Sequence, residues 1–117
     1  IYLAGLSNGG TGVSRAIPEL AAHLAGVIYL SPVLEYELAS SSPYAEAAAN
    51  LPILIVTGEN DRRIPVDIIR SCTDVMETNN LNVTLHVVPG EDHFVFFSQP
   101  DAIWSALENW LTVAPDY

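Results

Sequence analysis

The chain has no lysine, and its four arginines stand against fourteen aspartates and glutamates, for a formal net charge of −10 over 117 residues. A surface this acidic repels nucleic acid and anionic membrane, which excludes both as expected partners. The single cysteine, Cys72, rules out an internal disulfide, and within IIRSCTDVM it reads as a small buried residue of a helix. No apolar run approaches the roughly 18 residues needed to cross a bilayer, so no transmembrane segment is expected. Three scattered histidines, with no Cys pair and no H-x-x-x-H, give no metal site, and no motif calls for a cofactor.

What is present suits one packed unit. Half of the residues are apolar, and a chain of this length buries roughly two-thirds of its unfolded surface. It opens on Ile1-Tyr2-Leu3-Ala4, without an initiator Met or a signal-peptide pattern. A run so apolar is normally flanked by strands on both sides. Residues 1–117 are therefore expected to be a partial domain, with further strands before them.

Apolar runs alternate with helical patterns along the chain. Strands are predicted at 1–5, in GVIYLSP, in LPILIVTG and in NVTLHVVPG. Helices are predicted over about 9–17, in PELAAHL from Pro18 with Gly26 as its stop, and over PVDIIRSCTDVMETNN with Pro65 first. Residues 32–50 form a connection with one short helix at 43–49. QPDAIWSALENWLTV carries apolar residues at 103, 104, 107, 110 and 111, which puts Trp104 and Trp110 on its buried stripe. Strand and helix in alternation predict an α/β fold, a parallel sheet of about four strands with helices on its faces.

The stretch GLSNGG follows the first strand directly and opens the first helix. G-x-S-x-G in that setting is a nucleophile elbow, a turn tight enough to lift Ser7 Oγ above the sheet edge. Gly5 and Gly9 would be small because side chains there would strike backbone, and Gly10 would relax the helix start. A flexible turn also uses glycine and serine but does not need a buried strand running into it, and a phosphate loop would usually add a lysine. Serine needs a base, and the base needs an orienting group. Asp61 lies in the loop after the third strand and His93 in the loop after the fourth. Strand C-terminal ends share one edge of a parallel sheet, so Ser7, Asp61 and His93 should converge there.

These three motifs resemble those of the α/β-hydrolase superfamily, of the serine esterase, lipase and peptidase type. GLSNGG is similar to its elbow, GENDRRIP to its acid loop and PGEDHF to its histidine loop, in the order Ser, Asp, His. The resemblance covers the C-terminal half of that fold. It implies Ser7 as nucleophile, His93 as general base and then acid, Asp61 as the group orienting His93, and the backbone N–H of Asn8 as one oxyanion donor. The second donor of the family lies on a loop after an early strand.

Other residues compete for these roles. His23 lies near a helix end and His86 inside a strand; His93 alone sits in a strand-end loop. Glu59 is too close to its strand, Asp67 falls in a first helical turn, and Glu91 and Asp92 are too constrained to face the ring of their neighbour His93. Arg62 and Arg63 read either as recognition of an anionic substrate or as an exposed pair balancing nearby acids. Phe94, Phe96 and Phe97 either line an acyl pocket or form core under the last helix, and Ser31-Pro32 borders the active edge. The resemblance thus implies a serine hydrolase that cleaves a small-molecule ester, thioester or amide through an acyl-enzyme. The alternatives are a peptidase or acyltransferase on the same residues, or a non-catalytic binding protein of the same fold. A segment lacking the early strands is expected to be inactive and to associate through its raw sheet edge.

Overall fold

The computed structural model describes residues 1–113. Four strands, β1 (Tyr2–Leu6), β2 (Gly26–Leu30), β3 (Pro52–Gly58) and β4 (Asn82–Val88), form one sheet in the order β1-β2-β3-β4. All three pairings are parallel, with Leu3 opposite Val27, Ile28 opposite Leu54 and Val56 opposite His86. This is the α/β architecture that the alternating pattern implies.

Side chains alternate across the pleat and give the sheet two unlike faces. Val27, Tyr29, Ile53 and Ile55 point to one face and pack with α1 (Gly9–Leu20), α3 (Ser42–Ala48) and α4 (Val66–Thr78) through Ile17, Tyr44, Ile69 and Met76. Leu54 and Val56 point to the other, where Ile103, Ala106 and Trp110 of α6 (Pro100–Val113) cover them. The first face also holds a buried hydroxyl chain. Ser14 Oγ meets Tyr29 Oη at 2.8 Å, and Tyr29 Oη meets Tyr44 Oη at 2.8 Å. Each buried hydroxyl thereby finds a partner, which offsets the cost of removing it from water. Cys72 is fully buried among these groups, as its helical setting implies.

Several local expectations change. The first helix does not restart at Pro18 but runs through it to Leu20, and a 3₁₀ turn at Ala21–His23 ends that segment. Proline lacks the N–H that would bond Ser14, a small loss so near the helix end. Gly26 is the first residue of β2 rather than a helix stop. The connection after β2 holds two helices, α2 (Tyr36–Ala39) and α3, the latter capped by Ser41 accepting from the Tyr44 amide. Pro65 caps α4 from just outside its first turn. A short α5 (Val95–Ser98) follows the histidine loop.

Trp110 is buried, but Trp104 is 63% exposed. Helix α6 packs mainly on the narrow strip of sheet formed by β3 and β4, and its Trp110 also meets Tyr2 of β1 edge-on, 5.9 Å between ring centres. Ile103, Ala106 and Trp110 fill that strip, and Trp104 lies about 100° around the helix from Ile103. Phe94 and Phe97 are also exposed, so neither is core under that helix.

Candidate active site

The elbow begins with a steric fact. A Cβ on Gly5 would stand 2.5 Å from the Gly9 carbonyl oxygen and 2.6 Å from Val13 Cγ2. Strand and helix can approach this closely only if residue 5 is glycine. Gly9 itself has open space around its Cα, contrary to the expectation that both motif glycines avoid collisions. The second tight position is Gly10, where a Cβ would lie 2.6 Å from the Val33 carbonyl oxygen. Between them Ser7 adopts φ +53°, a left-handed conformation that costs a non-glycine residue on the order of 1 kcal/mol. Three backbone hydrogen bonds hold it there. The Ser7 N–H donates to the Leu30 carbonyl at 3.0 Å, and the Ser7 carbonyl accepts from Gly10 and Val33, both at 2.9 Å.

Asp61 and His93 come from the neighbouring strand ends. The Asp61 N–H donates to the Gly58 carbonyl at 3.2 Å, and Asp61 Oδ1 accepts the amides of Arg63 and Ile64, both at 2.9 Å. A short side chain accepting from amides two and three residues ahead fixes its own loop. The histidine loop is stitched to this one: Asn60 N–H donates to the Glu91 carbonyl at 2.8 Å, and Gly90 N–H to Glu59 Oε1 at 3.0 Å. Gly58 permits the approach, since a Cβ there would collide with the carbonyl oxygens of Glu91 and Asp92.

The three side chains meet in a line. Ser7 Oγ is 2.9 Å from His93 Nε2, and His93 Nδ1 is 2.8 Å from Asp61 Oδ2. A carboxylate only accepts, so Nδ1–H donates to Asp61, which leaves the Nε2 lone pair to accept from the Ser7 hydroxyl. Asp61 and His93 are almost wholly buried while Ser7 is half-buried. With three donors on Asp61, its charge is compensated inside the protein. The Asn8 amide has no acceptor among the described residues and caps the N-terminus of α1 beside Ser7.

The competing residues stand elsewhere. His23 and His86 are exposed and remote from Ser7, Glu59 links the two loops, and Asp67 lies in the first turn of α4. Asp92 Oδ1 accepts the Phe94 amide and Glu91 Oε1 the Ser98 hydroxyl. Arg62 and Arg63 make no ion pair with a carboxylate among the described residues; Arg63 stacks its guanidinium 4.8 Å from the centre of the Phe94 ring.

Two clefts flank this line. One of about 400 Å³ is lined by Ser7, Asn8, Val33, Leu34, Arg63, Ile64 and Ile68. The other, of about 410 Å³, lies beside His93 and includes Arg62, Arg63, Asp92 and Phe94. Sequence reasoning missed the apolar lining of the first. The available signal was the placement of Val33, Leu34 and Ile64 in the loops that follow β2 and β3, where polar residues are the norm. No helix among the described residues is long and apolar enough to cross a membrane.

Comparison with known proteins agrees with this architecture. An α/β-hydrolase enzyme from a metagenome of lagoon sediments at Mar Chica, Morocco, superimposes with a TM-score of 0.76 at 14% identity, over 96% of this chain and 61% of that one. A CIB-like hydrolase from Thermoplasma acidophilum gives 0.71 at 18% identity, over 92% and 48%. A thermophilic esterase from the planctomycete Thermogutta terrifontis gives 0.68 at 21% identity, over 92% and 51%. The chain thus has the α/β-hydrolase fold and spans about half the length of these proteins. No curated protein matches it. The sequence model of the prolyl oligopeptidase family matches residues 28–111, from the middle of β2 to the last turns of α6. With nearly three-quarters of its residues in that match, the chain belongs to the prolyl oligopeptidase family.

Proposed function

We propose that this protein is a serine hydrolase that works through an acyl-enzyme. The observation carrying this reading is the hydrogen-bonded line Ser7–His93–Asp61, with 2.9 and 2.8 Å between successive groups. Ser7 Oγ attacks the substrate carbonyl while its proton passes to His93 Nε2. Asp61 holds the ring in the tautomer that can accept this proton and balances the imidazolium that forms. The oxyanion receives the Asn8 N–H, aligned with the positive end of the α1 dipole. His93 then delivers the proton to the leaving group, which departs. Water gives a proton to Nε2 as its oxygen attacks the acyl carbon, and Ser7 regains that proton as the acid is released. A second oxyanion donor comes from outside residues 1–117, which on this reading form the C-terminal half of a larger hydrolase domain.

The substrate is a small acyl compound, an ester, thioester or amide, whose acyl part enters the cleft lined by Val33, Leu34 and Ile68. A second reading, cleavage of a peptide bond by the same groups, is favoured by membership of the prolyl oligopeptidase family. Labelling of the full-length protein with a fluorophosphonate tests the shared chemistry. Adduct formation that disappears in Ser7→Ala supports an activated serine. A folded protein that never labels would return the function to non-catalytic binding. Parallel assays on matched ester and peptide substrates separate the two readings.

A further inference from the structure

We infer that the acyl part of the substrate is an extended, uncharged chain that lies along a trough between α2 and α4, past Ile68 and beside Tyr36. The inference deepens the serine-hydrolase reading above and rests on it. An acyl group bonded to Ser7 Oγ, with its oxyanion at the Asn8 amide, starts in the cleft that both residues line. Ile68 is not the end of that path. A second depression of about 420 Å³ is lined by Tyr36, Asp67, Ile68 and Ser71, and a third of about 370 Å³ by Tyr36, Ser71, Asp74, Val75 and Thr78. Ile68 belongs to the first and second, and Tyr36 and Ser71 to the second and third, so the three follow one another along the surface.

The walls continue from each depression to the next. On one side Leu34 leads to Tyr36, the first residue of α2. On the other Ile64 leads into α4, where Ile68, Ser71 and Val75 stand three and four residues apart and so share one face of the helix. Helix α2 packs against α4, which sets the spacing of the two walls within the fold itself. Two large apolar side chains stand in water here, Tyr36 at 52% exposed and Ile68 at 46%. An apolar chain laid over them removes apolar surface from water on both partners. The charged residues lining the two outer depressions, Asp67 and Asp74, are both acidic and would repel an anionic chain end. Asp67 lies in the first turn of α4, where the helix dipole already balances it, so it does not call for a cationic one.

The test uses the full-length protein with 4-nitrophenyl butanoate and 4-nitrophenyl decanoate, which share a leaving group and differ only in acyl length. The measured quantity is the ratio of kcat/KM for the decanoate to that for the butanoate. Wild type prefers the decanoate. In Ser71→Trp, where an indole fills the trough beyond Ile68, the ratio falls about tenfold. Leu111→Trp, on α6 outside the trough, keeps the wild-type ratio. Ser71 is exposed, so the added bulk meets solvent rather than core. If circular dichroism shows Ser71→Trp unfolded, Tyr36→Ala carries the same test, with a fall in the same direction. A wild type that prefers the butanoate, or a ratio unchanged in the folded variant, overturns the inference; Ser7-dependent turnover then leaves the serine-hydrolase reading standing. A protein that takes the fluorophosphonate at Ser7 but turns over neither ester has the same meaning. A folded protein that neither labels nor turns over either ester overturns both.

Discussion

β1 and β3 are both apolar strands, and each leads into a loop that holds one member of the proposed triad, yet their surroundings differ. β3 is buried at all seven positions, with β2 and β4 on its edges and helices on both faces. β1 is buried only at Gly5 and has one neighbour among the described residues. Apolar composition is alike in the two; the number of neighbours is not. Asp61 and His93 therefore rest on a strand pair stitched by its loops, whereas Ser7 depends on backbone bonds to Leu30 and Val33 across the β2 edge.

The largest expected effect breaks the half supported by β3. Asp61→Asn keeps the shape of the side chain but can hold His93 in the wrong tautomer, and should lower kcat about 10⁴-fold in the full-length protein. A loss below tenfold would show that the orienting group lies elsewhere. Ile55→Ala, in the middle of β3, should cost about 3–4 kcal/mol by urea unfolding, while Leu6→Ala in β1, at a side chain 44% exposed, should cost about 1 kcal/mol or less. A Leu6 value near that of Ile55 would reveal a further element covering β1. The elbow glycines give a finer contrast. Gly10→Ala drives a Cβ into the Val33 carbonyl and should cost about 2 kcal/mol, whereas Gly9→Ala meets open space and should be neutral or stabilising by up to about 1 kcal/mol.

The smallest effect concerns pH. Burial pushes the Cys72 thiol from 9.0 up to about 11, and burial likewise raises the Tyr29 and Tyr44 hydroxyls. An unfolded chain releases these protons first, so stability is fully present below about pH 9 and declines as pH rises towards 11. Urea midpoints across that range check the sign, and Cys72→Ala should flatten part of the slope.

Sheet and site were legible where a local pattern has one physical meaning. Continuous apolar runs require burial on both faces, and a serine between glycines at a strand end requires a tight turn. The gathering of Ser7, Asp61 and His93 at one edge follows from parallel strands sharing their C-terminal ends. What stayed hidden depends on partners distant in sequence. Gly10 rather than Gly9 is crowded because residues 32–33 fold over it. Trp104 and Trp110 share a helix, and only the narrow strip of sheet beneath α6 separates their fates. The cation–aromatic stack of Arg63 on Phe94 joins two loops whose mutual approach is set by Gly58.

Because the strands lie in the sheet in the same order as in the chain, each pairs with one already made as the polypeptide leaves the ribosome. Ser7, the proposed nucleophile, emerges 86 residues ahead of His93, its proposed base. At roughly 5–20 residues per second, several seconds of synthesis pass in which Ser7 exists as an ordinary alcohol. On the proposed mechanism, a nascent or prematurely terminated chain is chemically silent, and reactivity appears only when the histidine loop docks against an already assembled sheet.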